Sequence, residues 1–240
     1  MKTLFPFFQK TTPNKNTVTS KPPYSFQHIA NDLLTLPDTT FDAYVFEREP
    51  LCRKIPTELQ LELAEKSRNS GIALAKQLQK TYPSCTPQEI CSAMGLIVID
   101  NQEPQHSFQI VYGQFVQPDQ ITLFSHCLQT VSTIAAQSNS PNFPTTEQLR
   151  QIILAHELYH ALEEQTPELF AAAYRLPLWK VGPFHNDSPV LCLSEIAGMA
   201  FAKQLCNIPF SPYALDALLL YGYDAHASCD IYQEVMSYKT

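Results

Sequence analysis

Apolar residues change their spacing along the chain, and each change predicts a different element. From residue 57 onward Leu61, Leu63, Ala64, Ile72, Leu74, Ala75 and Leu78 recur at helical intervals. This predicts a long helix with Thr57 as its N-cap and Gln60 three residues on. Gly71 is its weak point, because glycine has poor helix propensity. Thr86-Pro87-Gln88-Glu89 predicts a second, short helix: Thr86 caps, Pro87 takes the first turn and Glu89 completes a capping box. Gly95 stops it. The period then becomes that of strands. Leu96 to Asp100 reads as a buried strand, Phe108 to Val116 as a second interrupted by Gly113, and Ile121 to Phe124 as a third after the turn Gln117-Pro118-Asp119-Gln120.

After Phe124 the pattern is helical again, over 125–137 and 146–164, with a short piece near 167–174 and a Pro- and Gly-containing loop. Helices then follow over 191–207, 212–221 and 224–237. Residues 1–50, rich in Pro, Thr and Asn, read as an extended arm laid on a single domain spanning 51–240. Helix, small sheet, then helices defines an α+β fold that is mostly helical, with a small antiparallel-type sheet beside the helix of 146–164.

Composition narrows the function classes. The 240 residues carry a formal charge of -7, with acidic groups scattered and no basic cluster. Phosphate binding needs such a cluster, so nucleic acid is excluded as an expected partner. The seven cysteines form no CxxC pair and several sit in apolar runs such as Leu191-Cys192-Leu193, which fits small buried thiols in a reducing compartment. The apolar start Leu4-Phe5-Pro6-Phe7-Phe8 is too short and too broken for a signal sequence. No window approaches the roughly twenty apolar residues of a membrane span. The expectation is a soluble, cytoplasmic protein without membrane partners; the sequence leaves the oligomeric state open.

The chemistry is concentrated in Ala155-His156-Glu157-Leu158-Tyr159-His160-Ala161. On a helix the i and i+4 positions share one face, so both imidazoles can reach one ion. Glu157 points beside that ion and suits a base that takes a proton from a water the metal activates. Ile152, Ile153, Leu154, Leu158 and Leu162 make this helix apolar nearly all round, and a shared metal satisfies polar groups that otherwise need partners. A catalytic zinc wants a third protein ligand. Glu195 is the candidate, a lone charge in the Ala- and Gly-rich run Ser194-Glu195-Ile196-Ala197-Gly198-Met199-Ala200. The competing assignment pairs Glu195 with a cation such as Arg175 or Lys203.

These residues resemble the gluzincin-type metallopeptidases, and among them the ImmA/IrrE family. The resemblance rests on Ile121-Thr122-Leu123-Phe124, on Ile153 to Leu162 with its His-Glu-x-x-His core, and on Glu195 followed by Phe201-Ala202, and it covers about residues 57 to 207. It implies one zinc ion per chain, peptidase activity on a protein such as a transcriptional repressor, and an extended peptide added to the sheet edge at Phe108 to Val116 or Ile121 to Phe124. The alternative for that edge is cover by the N-terminal arm. The chain departs from the family at Tyr159, usually Gly, and at Ala197 and Met199, where the family has an acidic residue and an Asn or Asp. It thus lacks the usual carboxylate behind the first histidine.

Such enzymes stabilise the oxyanion with a Tyr or His; His185, Tyr221, Tyr223 and His226 are the candidates, with His106 and His126 weaker ones. The expected function is zinc-dependent hydrolysis of a peptide bond in a protein or peptide substrate. A catalytically silent zinc-containing protein-binding module, or a metal hydrolase acting on another substrate, are the competing functions.

Overall fold

The computed structural model describes residues 2–3, 21–103, 111–138 and 140–239. In chain order the elements are β1 (Lys2–Thr3), α1 (Phe26–Leu33), α2 (Thr40–Phe46), a 3-10 turn (Cys52–Lys54), α3 (Thr57–Thr81), α4 (Pro87–Ala93), β2 (Ile97–Asn101), β3 (Gly113–Val116), β4 (Gln120–Phe124) and α5 (Ser125–Gln137). Then come α6 (Thr146–Gln165), α7 (Phe170–Ala173), β5 (Leu176–Val181), β6 (Phe184–Ser188), α8 (Cys192–Cys206), α9 (Ala214–Leu220) and α10 (Ala225–Ser237). This is the expected α+β architecture. The main sheet runs in the order β1-β3-β4-β2 and is mixed: β3 is antiparallel to β1 and β4, while β2 lies parallel to β4.

Several expectations require correction. Residues 26–46 are not an extended arm. Phe26, Ile29, Ala30 and Leu33 follow the helical period and are buried, and Ser25 accepts a hydrogen bond from the His28 N–H at 3.2 Å. With Phe41, Tyr44, Val45 and Phe46 they belong to the core. The stretch expected as a buried strand is half of one: β2 is an edge strand, and Ile97 and Ile99 are exposed. Of the second expected strand Gly113 to Val116 is a strand, and 104–110, including His106, lie outside the described residues. Within the loop expected between 174 and 191, β5 and β6 form an antiparallel hairpin.

Helix α8, which carries Glu195, packs tightly against α3. Gly71 on α3 is no weak point but a contact, since a Cβ there would lie 2.1 Å from the Ala197 carbonyl oxygen on α8. Pro56, not Thr57, is the residue before α3. The box on α4 is as expected, with the Thr86 hydroxyl accepting from the Glu89 N–H and the Glu89 carboxylate accepting from the Thr86 N–H.

Candidate metal centre

Thr145 caps helix α6. Thr145 accepts from the Gln148 N–H at 3.2 Å while Gln148 accepts from the Thr145 N–H at 2.9 Å; Thr146 instead donates to Ser132 at 2.7 Å. From this start α6 runs through the core, buried from Ile152 to Glu163. It therefore carries His156, Glu157 and His160 into an environment with almost no water: their exposures are 1%, 0% and 1%.

Helix α8 is positioned from three sides. The Glu49 carboxylate accepts from the Cys192 N–H at 3.0 Å and from the Leu51 N–H at 3.1 Å, so an acid from elsewhere in the chain satisfies the helix start, where negative charge is favoured. Gly71 permits the approach of α3. Gly198 permits that of α6, because a Cβ there would sit 3.1 Å from His156 Cε1 and 3.1 Å from Tyr159 Cδ1. One turn into α8, Glu195 then meets both histidines: its Oε2 is 3.3 Å from His156 Nε2 and its Oε1 3.7 Å from His160 Nε2. The two Nε2 atoms are 2.9 Å apart, and one ligand atom from each of the three residues lies within 4.8 Å of the others.

This convergence fits a metal ion. Burial lowers the His156 pKa to about 3, against the opposing pull of Glu163, so the imidazole is neutral and offers a lone pair, as ligation requires. Two nitrogens facing each other at 2.9 Å can share one proton, whereas a cation accepts both lone pairs and the carboxylate together. The cations that competed for Glu195 are engaged elsewhere: Lys203 donates to Asp38 at 2.7 Å, and Arg175 donates to the Ala172 and Tyr174 carbonyls.

Glu157 is turned towards the sheet. Its Oε2 accepts from the Phe115 N–H on β3 at 2.7 Å, and its Oε1 has no hydrogen-bond partner among the described residues. Gly113 makes the room, since a Cβ there would lie 3.0 Å from Glu157 Oε1 and 2.6 Å from Ile153 Cγ2. Burial, and secondly the charge of Glu195, push the Glu157 pKa well above the usual carboxylate range, while the Phe115 N–H pulls it down. Its pKa thus departs in the direction a general base near neutrality needs.

Two supporting residues escape sequence reasoning. Glu163, buried one turn beyond His160, accepts from Ser194 at 2.6 Å. Its Oε2 stands 3.6 Å from His160 Nδ1, and the Ser194 hydroxyl 3.4 Å from the same nitrogen. The signal was the i,i+3 spacing from His160, hidden because Glu163-Glu164-Gln165 reads as a solvated helix end. Tyr159 packs its ring on Phe201 and places its hydroxyl 3.4 Å from Glu163. His156 has no such support: its Nδ1 is buried without a hydrogen-bond partner among the described residues, and faces Gly198 on α8, which Ala197 and Met199 flank.

Two of the oxyanion candidates have partners away from the His156, His160 and Glu195 group. Tyr221 donates to the Tyr24 carbonyl at 3.2 Å, and His185 on the exposed hairpin sits 3.7 Å from Asp187. His226 lies in the first turn of α10 and Tyr223 just before it. A cavity of about 630 Å³ opens near the N-terminal end of α6, lined by Ile152, Leu205, Ile208 and Phe210, and is not lined by His156, His160 or Glu195. No described helix is long and apolar enough to cross a membrane. No protein-family model matches the chain, and no curated protein or solved structure matches it.

Proposed function

We propose that the chain is a zinc-dependent peptidase that hydrolyses a peptide bond in a protein substrate. The observation that carries this reading is the buried His156, His160 and Glu195 group with a second buried carboxylate, Glu157, on the helix of the two histidines but turned towards β3. His156, His160 and Glu195 would hold the ion. Zinc bound there would supply Lewis acidity, lowering the pKa of a water molecule and polarising the scissile carbonyl.

The chain's own residues do the rest. Glu157, with Oε2 fixed by the Phe115 N–H, presents Oε1 to accept a proton as the water oxygen bonds to the carbonyl carbon. The same carboxyl then returns that proton to the departing amine nitrogen as the C–N bond breaks, so the base is regenerated. Glu163 and Ser194 orient His160, as groups behind ligating imidazoles do.

The second reading, a catalytically silent zinc module, is favoured by one observation: the Glu157–Phe115 bond gives Glu157 a structural task in tying α6 to β3. The two are separated by incubating the zinc-loaded protein and its Glu157→Gln variant with a mixed peptide library and reading the products by mass spectrometry. The peptidase reading expects cleavage by the parent, reduced roughly a hundredfold or more in the variant, with zinc retained in both. Equal cleavage by both, or none by either, favours the silent module.

A further inference from the structure

The cavity of about 630 Å³ forms where helix ends meet. Tyr82 follows α3, Thr86 caps α4, Glu147 lies in the first turn of α6, and Leu205 to Phe210 carry the end of α8 into the loop behind it. A space of this size suits a small organic molecule. It is separate from the candidate metal centre, since His156, Glu157, His160 and Glu195 do not line it.

The lining selects the charge of an occupant. Ile152, Leu205 and Ile208 supply apolar wall, and Tyr82, Phe143 and Phe210 add aromatic rings, whose faces attract cations. Glu147 is the one carboxylate among the lining residues, which include no Lys, Arg or His. Gln151 Nε2 donates to Glu147 Oε1 at 2.5 Å and so holds that carboxylate in place. An anion entering here meets a like charge with no cation to offset it. An ammonium group meets an opposite charge and aromatic surface together.

We propose that this cavity binds a small hydrophobic ammonium ion, with its apolar body against the wall and its charge towards Glu147. The proposal goes beyond the peptidase reading and does not rest on it, because neither zinc nor Glu157 takes part. An occupant touches α6 at Ile152, one turn before His156, and α8 at Leu205. It therefore lies against both helices that carry the candidate ligands.

Two thiols in the lining make occupancy measurable. Cys206 donates to the Gln151 carbonyl at 3.5 Å, and burial pushes its thiol up to about 12. Cys85 is exposed, so it is the thiol that an alkylating reagent meets first.

The test is calorimetric titration of the full chain at neutral pH with three probes that share a naphthalene body: naphthylmethylamine, naphthalenemethanol and naphthylacetate. The expected result is one amine site per chain, with the amine bound tighter than the carboxylate by roughly tenfold or more. Saturating amine slows alkylation of Cys85 by iodoacetamide, read by mass spectrometry. Glu147→Gln, at an exposed position, brings the amine to the affinity of the alcohol. Ile208→Trp fills the cavity and removes binding, with circular dichroism checking its fold; the Glu147→Gln result stands without it. No amine binding, equal affinity for amine and carboxylate, or an amine affinity unchanged in Glu147→Gln overturns the proposal. An amine that binds while Cys85 reacts at its original rate sits elsewhere, and that also overturns it.

Discussion

Glu163 on α6 accepts a 2.6 Å hydrogen bond from Ser194 on α8, so one contact both joins the two helices that carry the candidate ligands and stands behind His160. Groups in this position typically govern metal affinity by ten- to a hundredfold. Glu163→Ala is expected to weaken zinc binding by roughly that factor, and Glu163→Gln, which keeps an acceptor oxygen, by less. Competition with a chromophoric chelator measures both. Unchanged affinity in Glu163→Ala shows that the residue only joins helices.

The approach of α3 to α8 has no slack at Gly71, where a Cβ would fall 2.1 Å from the Ala197 carbonyl oxygen. Gly71→Ala forces backbone apart from backbone, and overpacking of this kind costs about 1–3 kcal/mol. Thermal unfolding should show a clear loss, even though alanine is the better helix former. A stability equal to the parent's contradicts the packing described for these helices.

How much of this is legible in the sequence depends on whether the signal is local. The α6 motif is, because i,i+4 spacing on an apolar helix specifies both the face and the burial of His156 and His160. The capping box of α4 is equally local. Glu195 is legible as an isolated charge, but its meeting with the histidines depends on Gly71, Gly198 and the distant Glu49, whose tertiary roles leave no periodic trace. Helix α1 hides behind the Pro- and Thr-rich composition around it, although Phe26, Ile29, Ala30 and Leu33 carry the helical period. The hairpin β5–β6 hides for another reason: only Leu176 and Leu178 turn inward, and its Trp179, Val181 and Phe184 are exposed, so the inward alternation is too short to mark it.

Asp216 on α9 provides a pH prediction away from the motif. Burial raises its pKa to about 8, opposed by the Tyr44 hydrogen bond and Arg48. A raised folded-state pKa means that its contribution is fully present below the unfolded value, near 3.8. It is lost as pH climbs through about 8. Asp216→Asn keeps an acceptor for the Tyr44 hydroxyl and never ionises. The variant should therefore match the parent near pH 4 and exceed it in denaturant stability by pH 8. A constant difference across that window refutes the assignment.

Metal removal should lower stability, since an ion that binds only the folded chain stabilises it by mass action. Chelator treatment is expected to drop the melting temperature of the parent by several degrees, on the scale of about 4 °C or less per kcal/mol for a chain of this size. His160→Ala should melt at the same temperature with and without chelator. A chelator effect of equal size in both places the metal elsewhere.

Elemental analysis of the protein, reconstituted with zinc at neutral pH and dialysed, asks whether His156, His160 and Glu195 hold an ion. The expected result is about one zinc per chain, as three ligands of these types provide, and far less than one in Glu195→Ala. A parent chain that retains no zinc, or a Glu195→Ala chain that retains it all, contradicts the metal centre built from these three residues.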